Sequence, residues 1–182
     1  MPGWSPGAAL LGQSTPLGGA ASTTGVVIFG TGFGMLFVEY YIPGTAAATT
    51  PMLRLGTTTT TDTGTNYSSG TANFNMGAAT VGTGTSRVSQ TGIHIDNVSV
   101  ANGRRGLMQI HNPATQNKTI DSRVVAHSAA SPTAATSVST VNFVVGTWFN
   151  SSAQAACCEL IGNGQNLNTG TYISVYGIPG TA

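Results

Sequence analysis

Apolar and polar residues alternate with a period of two along much of this chain, in short stretches separated by turn formers. Leu36, Val38 and Tyr40 share one face of such a stretch, with Phe37, Glu39 and Tyr41 on the other. Ile93 and Ile95 oppose His94 and Asp96 in the same way. This is the pattern of a strand with one buried face. It predicts strands over 26–29, 34–42, 52–55, 72–76, 92–98, 107–111, 119–127, 137–145, 155–161 and 171–176. The alternation blurs near Val144, where Val141, Phe143 and Val145 on one side and Val138 and Val144 on the other are all apolar. Burial on both faces is expected there. Clusters such as Pro43-Gly44, Asn112-Pro113 and Gly162-Asn-Gly164 mark turns, and no stretch carries the 3.6-residue period of a long helix. Many short strands joined by turns predict an all-β, antiparallel β-sandwich.

Residues 1–24 break this pattern. They are rich in Pro, Gly, Ala and Ser and follow neither period. Pro2, Pro6 and Pro16 argue against a ladder strand in the sandwich interior. We read 1–24 as an extended N-terminal arm and 25–182 as the sandwich. Trp4, Leu10, Leu11 and Leu17 are too apolar for a solvated tail, so the arm is expected to lie on protein, in its own subunit or a neighbour. These four are the candidate interaction residues, and the arm is the candidate attachment device. The run Thr57–Thr61 is expected to be a loop, because Asp62-Thr-Gly64 follows at once.

Composition narrows the function. Only 6% of residues are charged while 40% are hydrophobic, which fits a folded chain whose surface is Thr, Ser, Asn and Gly. A formal net charge of +1 provides no field to gather nucleic acid or an anionic membrane, so neither is expected as a partner. So neutral a surface gives little colloidal repulsion, which suits a subunit held in an assembly. The N-terminus lacks the basic head of a secretory signal, and the apolar stretch 26–42 is broken by Gly30, Gly32 and Gly34 and carries Glu39. The 182 residues are read as one complete subunit.

Candidate chemistry is sparse. The carboxylates are Glu39, Asp62, Asp96, Asp121 and Glu159, and the histidines are His94, His111 and His127. His94 and Asp96, two apart on one strand face and joined by His111, are the sharpest metal or acid-base candidate. The preferred reading makes them the solvent-facing side of a strand whose Ile93 and Ile95 face the core. Gly30-Thr-Gly-Phe-Gly34 has the look of a phosphate loop, but a strand rather than a helix follows. Asp62-Thr-Gly64 matches the tripeptide of aspartic proteases, which need a second copy that this chain lacks. The adjacent Cys157 and Cys158 point to opposite faces of a strand and are read as small apolar fillers. Trp148 is expected to pack in the core or at its rim. No catalytic residue, metal or cofactor is assigned. Trp4, Trp148, Tyr40, Tyr41, Tyr67, Tyr172 and Tyr176 are available as aromatic platforms for a glycan, although nothing in their spacing brings them together.

The ending Gly170-Thr-Tyr-Ile-Ser-Val-Tyr-Gly-Ile178 resembles the closing strand of many structural proteins of tailed bacteriophages. Other pieces agree in order: Leu36 to Tyr40, Leu53-Arg-Leu-Gly56, Asp62-Thr-Gly-Thr-Asn-Tyr-Ser68, Ile110-His-Asn-Pro113 and Gly146-Thr-Trp148. The Thr-rich run replaces that group's usual Phe-Asn-Gly. The resemblance implies a jelly-roll sandwich that forms homo-oligomers on virions and has no catalytic residues to carry over. Within that group, the lack of a coiled-coil or repeat shaft and the apolar arm make a capsid cement or decoration protein on the major capsid protein the first expectation, as a trimer, with a dimer left open. The chain would be made in the host bacterial cytoplasm and end on the capsid surface. The alternative is a tail-fibre or head-fibre module contacting cell-surface glycan.

Overall fold

A computed structural model describes residues 7–43, 50–75, 80–81, 84–95, 103–127 and 139–180. Among them the chain forms β1 (Ala9–Gln13), β2 (Val27–Ile28), β3 (Phe33–Ile42), β4 (Thr50–Gly56), β5 (Tyr67–Asn75), β6 (Thr80–Val81) and β7 (Thr85–Gln90). Then follow β8 (Ile93–His94), β9 (Arg104–His111), β10 (Lys118–His127), β11 (Ser139–Trp148), β12 (Cys157–Asn163) and β13 (Tyr172–Pro179). No helix occurs among the described residues. Nine strands form one sheet in the order β1-β13-β3-β9-β10-β11-β5-β6, with β7 also on β5, and four form a second in the order β2-β12-β4-β8. All pairings are antiparallel. The protein is therefore all-β, with the two sheets of a β-sandwich. Every predicted strand is present in whole or part, while β1, β6 and β7 have no counterpart in the periodicity.

The core lies between the sheets. Leu36, Val38 and Tyr40 of β3, Met108 and Ile110 of β9, and Ile173 and Val175 of β13 face inward from the large sheet. Leu53 and Leu55 of β4, Ile93 of β8, and Cys158 and Leu160 of β12 meet them from the small one. Each is buried, and each large apolar side chain contributes roughly 1.5–3 kcal/mol through that burial. The sheets approach closely where a side chain is missing: a Cβ on Gly146 would lie 2.9 Å from Ile93 Cγ2. Gly106 likewise leaves space for the Tyr40 ring.

The stretch expected as an arm runs along the edge of its own subunit. β1 pairs with β13, and Ser14 and Leu17 continue the ladder by donating their N–H groups to Ile173 and Thr171. Pro16 lies outside the five residues of β1, so it removes no donor from that strand. Leu11 packs against the core where Gly177 makes room, since a Cβ there would be 2.5 Å from Leu11 Cδ1. Beyond Leu17 the chain crosses to the small sheet, where Ala21 bridges Leu167 and Thr23 bridges Ile161. Residues 1–6 lie outside the described residues.

Candidate functional site

The outer face of the small sheet is covered by the chain itself. Arg54 of β4 and Glu159 of β12 are cross-strand partners, with Arg54 Nη1 3.8 Å from Glu159 Oε1. Thr23 Oγ1 donates to Glu159 Oε2 at 2.6 Å, and Thr61 Oγ1 donates to Oε1. Arg54 Nε donates to the Thr91 carbonyl at 2.8 Å. Thr57–Thr61, a loop as expected, folds back over this face; a Cβ on Gly56 would collide with the Thr60 carbonyl and lie 2.8 Å from Cys157 Sγ. Burial, helped by Glu159, pushes the Cys157 thiol up to about 11, and burial raises Cys158 too. Both cysteines are free and buried, and both stay protonated at neutral pH, which disfavours nucleophilic chemistry.

Asp62, the residue of the protease-like tripeptide, is a structural post. Its Oδ1 accepts from Gly64 N–H at 2.8 Å, and its Oδ2 accepts from Asn66 Nδ2 and Trp148 Nε1, both at 2.9 Å. Burial alone would raise the carboxyl, but these hydrogen bonds more than offset it and hold the group below the usual carboxylate range. Tyr67 stacks on Trp148 with ring centroids 6.2 Å apart, and its hydroxyl donates to the Leu55 carbonyl at 2.9 Å. Trp148 lies in the core. Lys118 sits over its ring, fully buried, and donates to the carbonyls of Gln116 and Asn150. Asn112 binds the Phe33 and Ala155 carbonyls through Nδ2 and the Ala155 N–H through Oδ1.

His94 corrects a sequence expectation. It is not on a solvated strand face but only 3% exposed, with Nε2 3.1 Å from Gln90 Oε1. The reason is β7, invisible in the periodicity, which brings Gln90 and Arg87 against the side of β8 that was assigned to water. Burial, then the charge of Arg87, lowers the His94 pKa to about 4. His111 lies exposed on the outer face of the other sheet, so the two histidines are not brought together. Asp96 lies outside the described residues. Among the described residues no three His, Cys, Asp or Glu side chains are grouped to hold a metal ion. Gly30 and Gly32, both with positive φ, form the turn from β2 into β3, which is a strand and not a phosphate-binding helix.

The outer face of the large sheet is different. Leu107, Arg123 and Phe143 form one row across β9, β10 and β11, and Gln109, Asp121 and Val145 form the next. Phe143 and Val145, expected to be buried, are 40% and 60% exposed. Together these six residues line a shallow trough of about 580 Å³. The Arg123 guanidinium lies 6.0 Å from the centre of the Phe143 ring. Toward β13 the face continues through Tyr41 and Tyr172, 5.9 Å apart, beside an ion pair of Glu39 with Arg105. This open apolar surface is the candidate functional site.

Of the four arm residues, Leu10 is exposed and pairs with Tyr176 at the rim of this face. Leu11 and Leu17 are half-buried against the subunit's own core, and Trp4 lies outside the described residues. The structure thus separates residues that sequence reasoning grouped. A scan against protein-family models finds no match, and a search of curated proteins finds no significant relative.

Proposed function

We propose that this chain is a non-enzymatic structural subunit of a tailed-bacteriophage particle. It acts as a homo-oligomeric cement or decoration protein on the major capsid shell, and its sandwich is of the jelly-roll type. The observation that carries this reading is where the phage-like sequence pieces lie. Far apart in the chain, they form one framework: the closing strand β13 pairs with β3, Gly177 admits Leu11, and Asp62 ties Trp148 to the loop before Tyr67. Asn112 joins β3 to the Ala155 backbone. Residues that match in order and also meet in space to brace the sheets are what a common scaffold would retain. The open apolar face supports a role in assembly.

One observation favours the alternative of a fibre module contacting cell-surface glycan. The neighbouring Tyr41 and Tyr172 beside Glu39 and Arg105 have the make-up of a sugar platform. Co-sedimentation of the purified protein with parent particles stripped of it, followed by electron cryo-microscopy of the decorated particles, tests the proposal. Density on the capsid shell is the expected result. Density at a tail or fibre tip would select the alternative, and no binding to the particle would remove both.

A further inference from the structure

We propose that the trough on the large sheet is where two copies of this chain pack face to face about a twofold axis. This deepens, and rests on, the reading of the chain as a self-assembling subunit. The argument is one of self-complementarity. Asp121 and Arg123 are two apart on β10, so they project from the same face. Neither has an ion-pair partner among the described residues. Each is flanked by its row: Gln109 and Val145 beside Asp121, Leu107 and Phe143 beside Arg123.

Consider a twofold axis lying in the interface and crossing β10 at right angles beside Ser122. It exchanges the two rows, as an isologous contact must. Asp121 of each copy then faces Arg123 of the other, Val145 faces Phe143, and Gln109 faces Leu107. Both charges find an opposite charge, and the exposed Phe143 and Val145 are covered. Over β9 to β11 the two rows hold no other charge; over β3 the Leu107 row continues into Glu39, whose charge Arg105 already meets within the subunit. The area is sufficient. Four strands, β3 and β9 to β11, at about 4.8 Å spacing and some eight residues long at about 3.3 Å each, span roughly 500 Å² in projection. Two copies together therefore bury about 1,000 Å², the lower bound for a specific interface.

Charge reversal tests the contact. Asp121→Arg sets arginines against each other across the axis, and Arg123→Asp sets aspartates against each other, so each single variant should repel itself. An equimolar mixture restores two opposite pairs in a heterodimer. Light scattering after size exclusion should give a dimer mass for the wild type, a monomer mass for each variant, and a dimer mass for the mixture. The wild-type dissociation constant should rise at least tenfold in each variant. Matching β-type circular dichroism spectra establish that the variants fold; Val145→Asp, at a well-exposed position, replaces either one that does not and should also give a monomer. Variants that stay oligomeric like the wild type would overturn this interface while leaving self-assembly through another face. A wild type that is monomeric at tens of micromolar would overturn both.

Discussion

The two outer faces of this sandwich meet the same requirement in opposite ways. On the four-stranded sheet, Glu159 is met by Thr23, Thr61 and Arg54, and the threonine loop closes over Cys157. The chain supplies its own cover, and the lone carboxylate of an apolar strand becomes a joint between three distant segments. On the nine-stranded sheet, Phe143, Val145 and Leu107 remain exposed although their strands carry apolar residues on both faces. A strand apolar on both sides normally has something on both sides. One face is finished within the subunit, and the other stays open among the described residues, which is the face that the proposed self-association would use.

If the covered face depends on the N-terminal segment, removing that segment should have the largest effect. Deleting residues 1–24 strips β1 from β13, uncovers the sites of Leu11 and Leu17, and takes Thr23 from Glu159. Two half-buried leucines and several net hydrogen bonds amount to a loss on the order of 5 kcal/mol. The melting temperature should fall by roughly 10–20 °C for a chain of this size. An unchanged melting temperature would return the segment to the role of a detachable arm.

The joint itself comes next. Glu159→Ala leaves the Thr23 and Thr61 hydroxyls without their acceptor and the partly buried Arg54 without its counter-charge, and should cost about 3 kcal/mol in urea unfolding. Asp121→Ala on the open face should change the stability of the monomer by less than about 0.5 kcal/mol. Equal effects at the two carboxylates would erase the distinction between the faces.

Acid should act on the small sheet through His94. Its folded pKa of about 4 lies below the usual 6.5, so the unfolded chain takes up the proton more readily. The stability this residue provides is full above about pH 6.5 and is lost as pH falls toward 4. The loss amounts to about 2 kcal/mol at pH 5 and about 3 kcal/mol below pH 4. Between pH 7 and 5, His94→Gln should show a flatter stability profile than the wild type. Parallel profiles would mean that His94 titrates as it does in water.

Much of the fold was legible because alternation reports which face of a strand is apolar. Leu36, Val38 and Tyr40 face the core as their spacing requires. Alternation does not report what lies on the other face, and the misreadings share that origin. Alternation puts His94 in water because β7, a polar edge strand with Val88 as its one large apolar residue, leaves no periodic trace. β1 leaves no trace for the same reason: it is held by backbone pairing at an edge, and Ala9-Leu-Leu-Gly-Gln13 has no period of two. The candidate face did leave a signal, in the doubly apolar stretch ending at Val145. The pattern predicts burial, whereas within one subunit Phe143 and Val145 are exposed. Glu159 left one too, since a carboxylate within Cys157-Cys-Glu-Leu-Ile161 has to find partners.

The smallest expected effect is also the sharpest probe. Val144 and Val145 are neighbours on β11, chemically identical and pointing to opposite sides of the same sheet. Val144 is 1% exposed in the core, while Val145 is 60% exposed on the open face. Valine and threonine are nearly isosteric, so a swap to threonine changes polarity with little change in shape. At Val144 the new hydroxyl leaves water for a core row between Ser122 and Thr71, which costs about 1 kcal/mol even with one of their hydroxyls as its partner. At Val145 water meets it, and the monomer should lose less than about 0.5 kcal/mol. In an assembled protein the Val145→Thr loss should instead grow with concentration, because it then includes the cost of burying a hydroxyl against Phe143 of the second copy. Urea unfolding of both variants across a hundredfold range of protein concentration separates the cases. A large, concentration-independent loss at Val145 would mean that the subunit's own chain covers this face. A loss that appears only as concentration rises is what a face completed by a second copy requires.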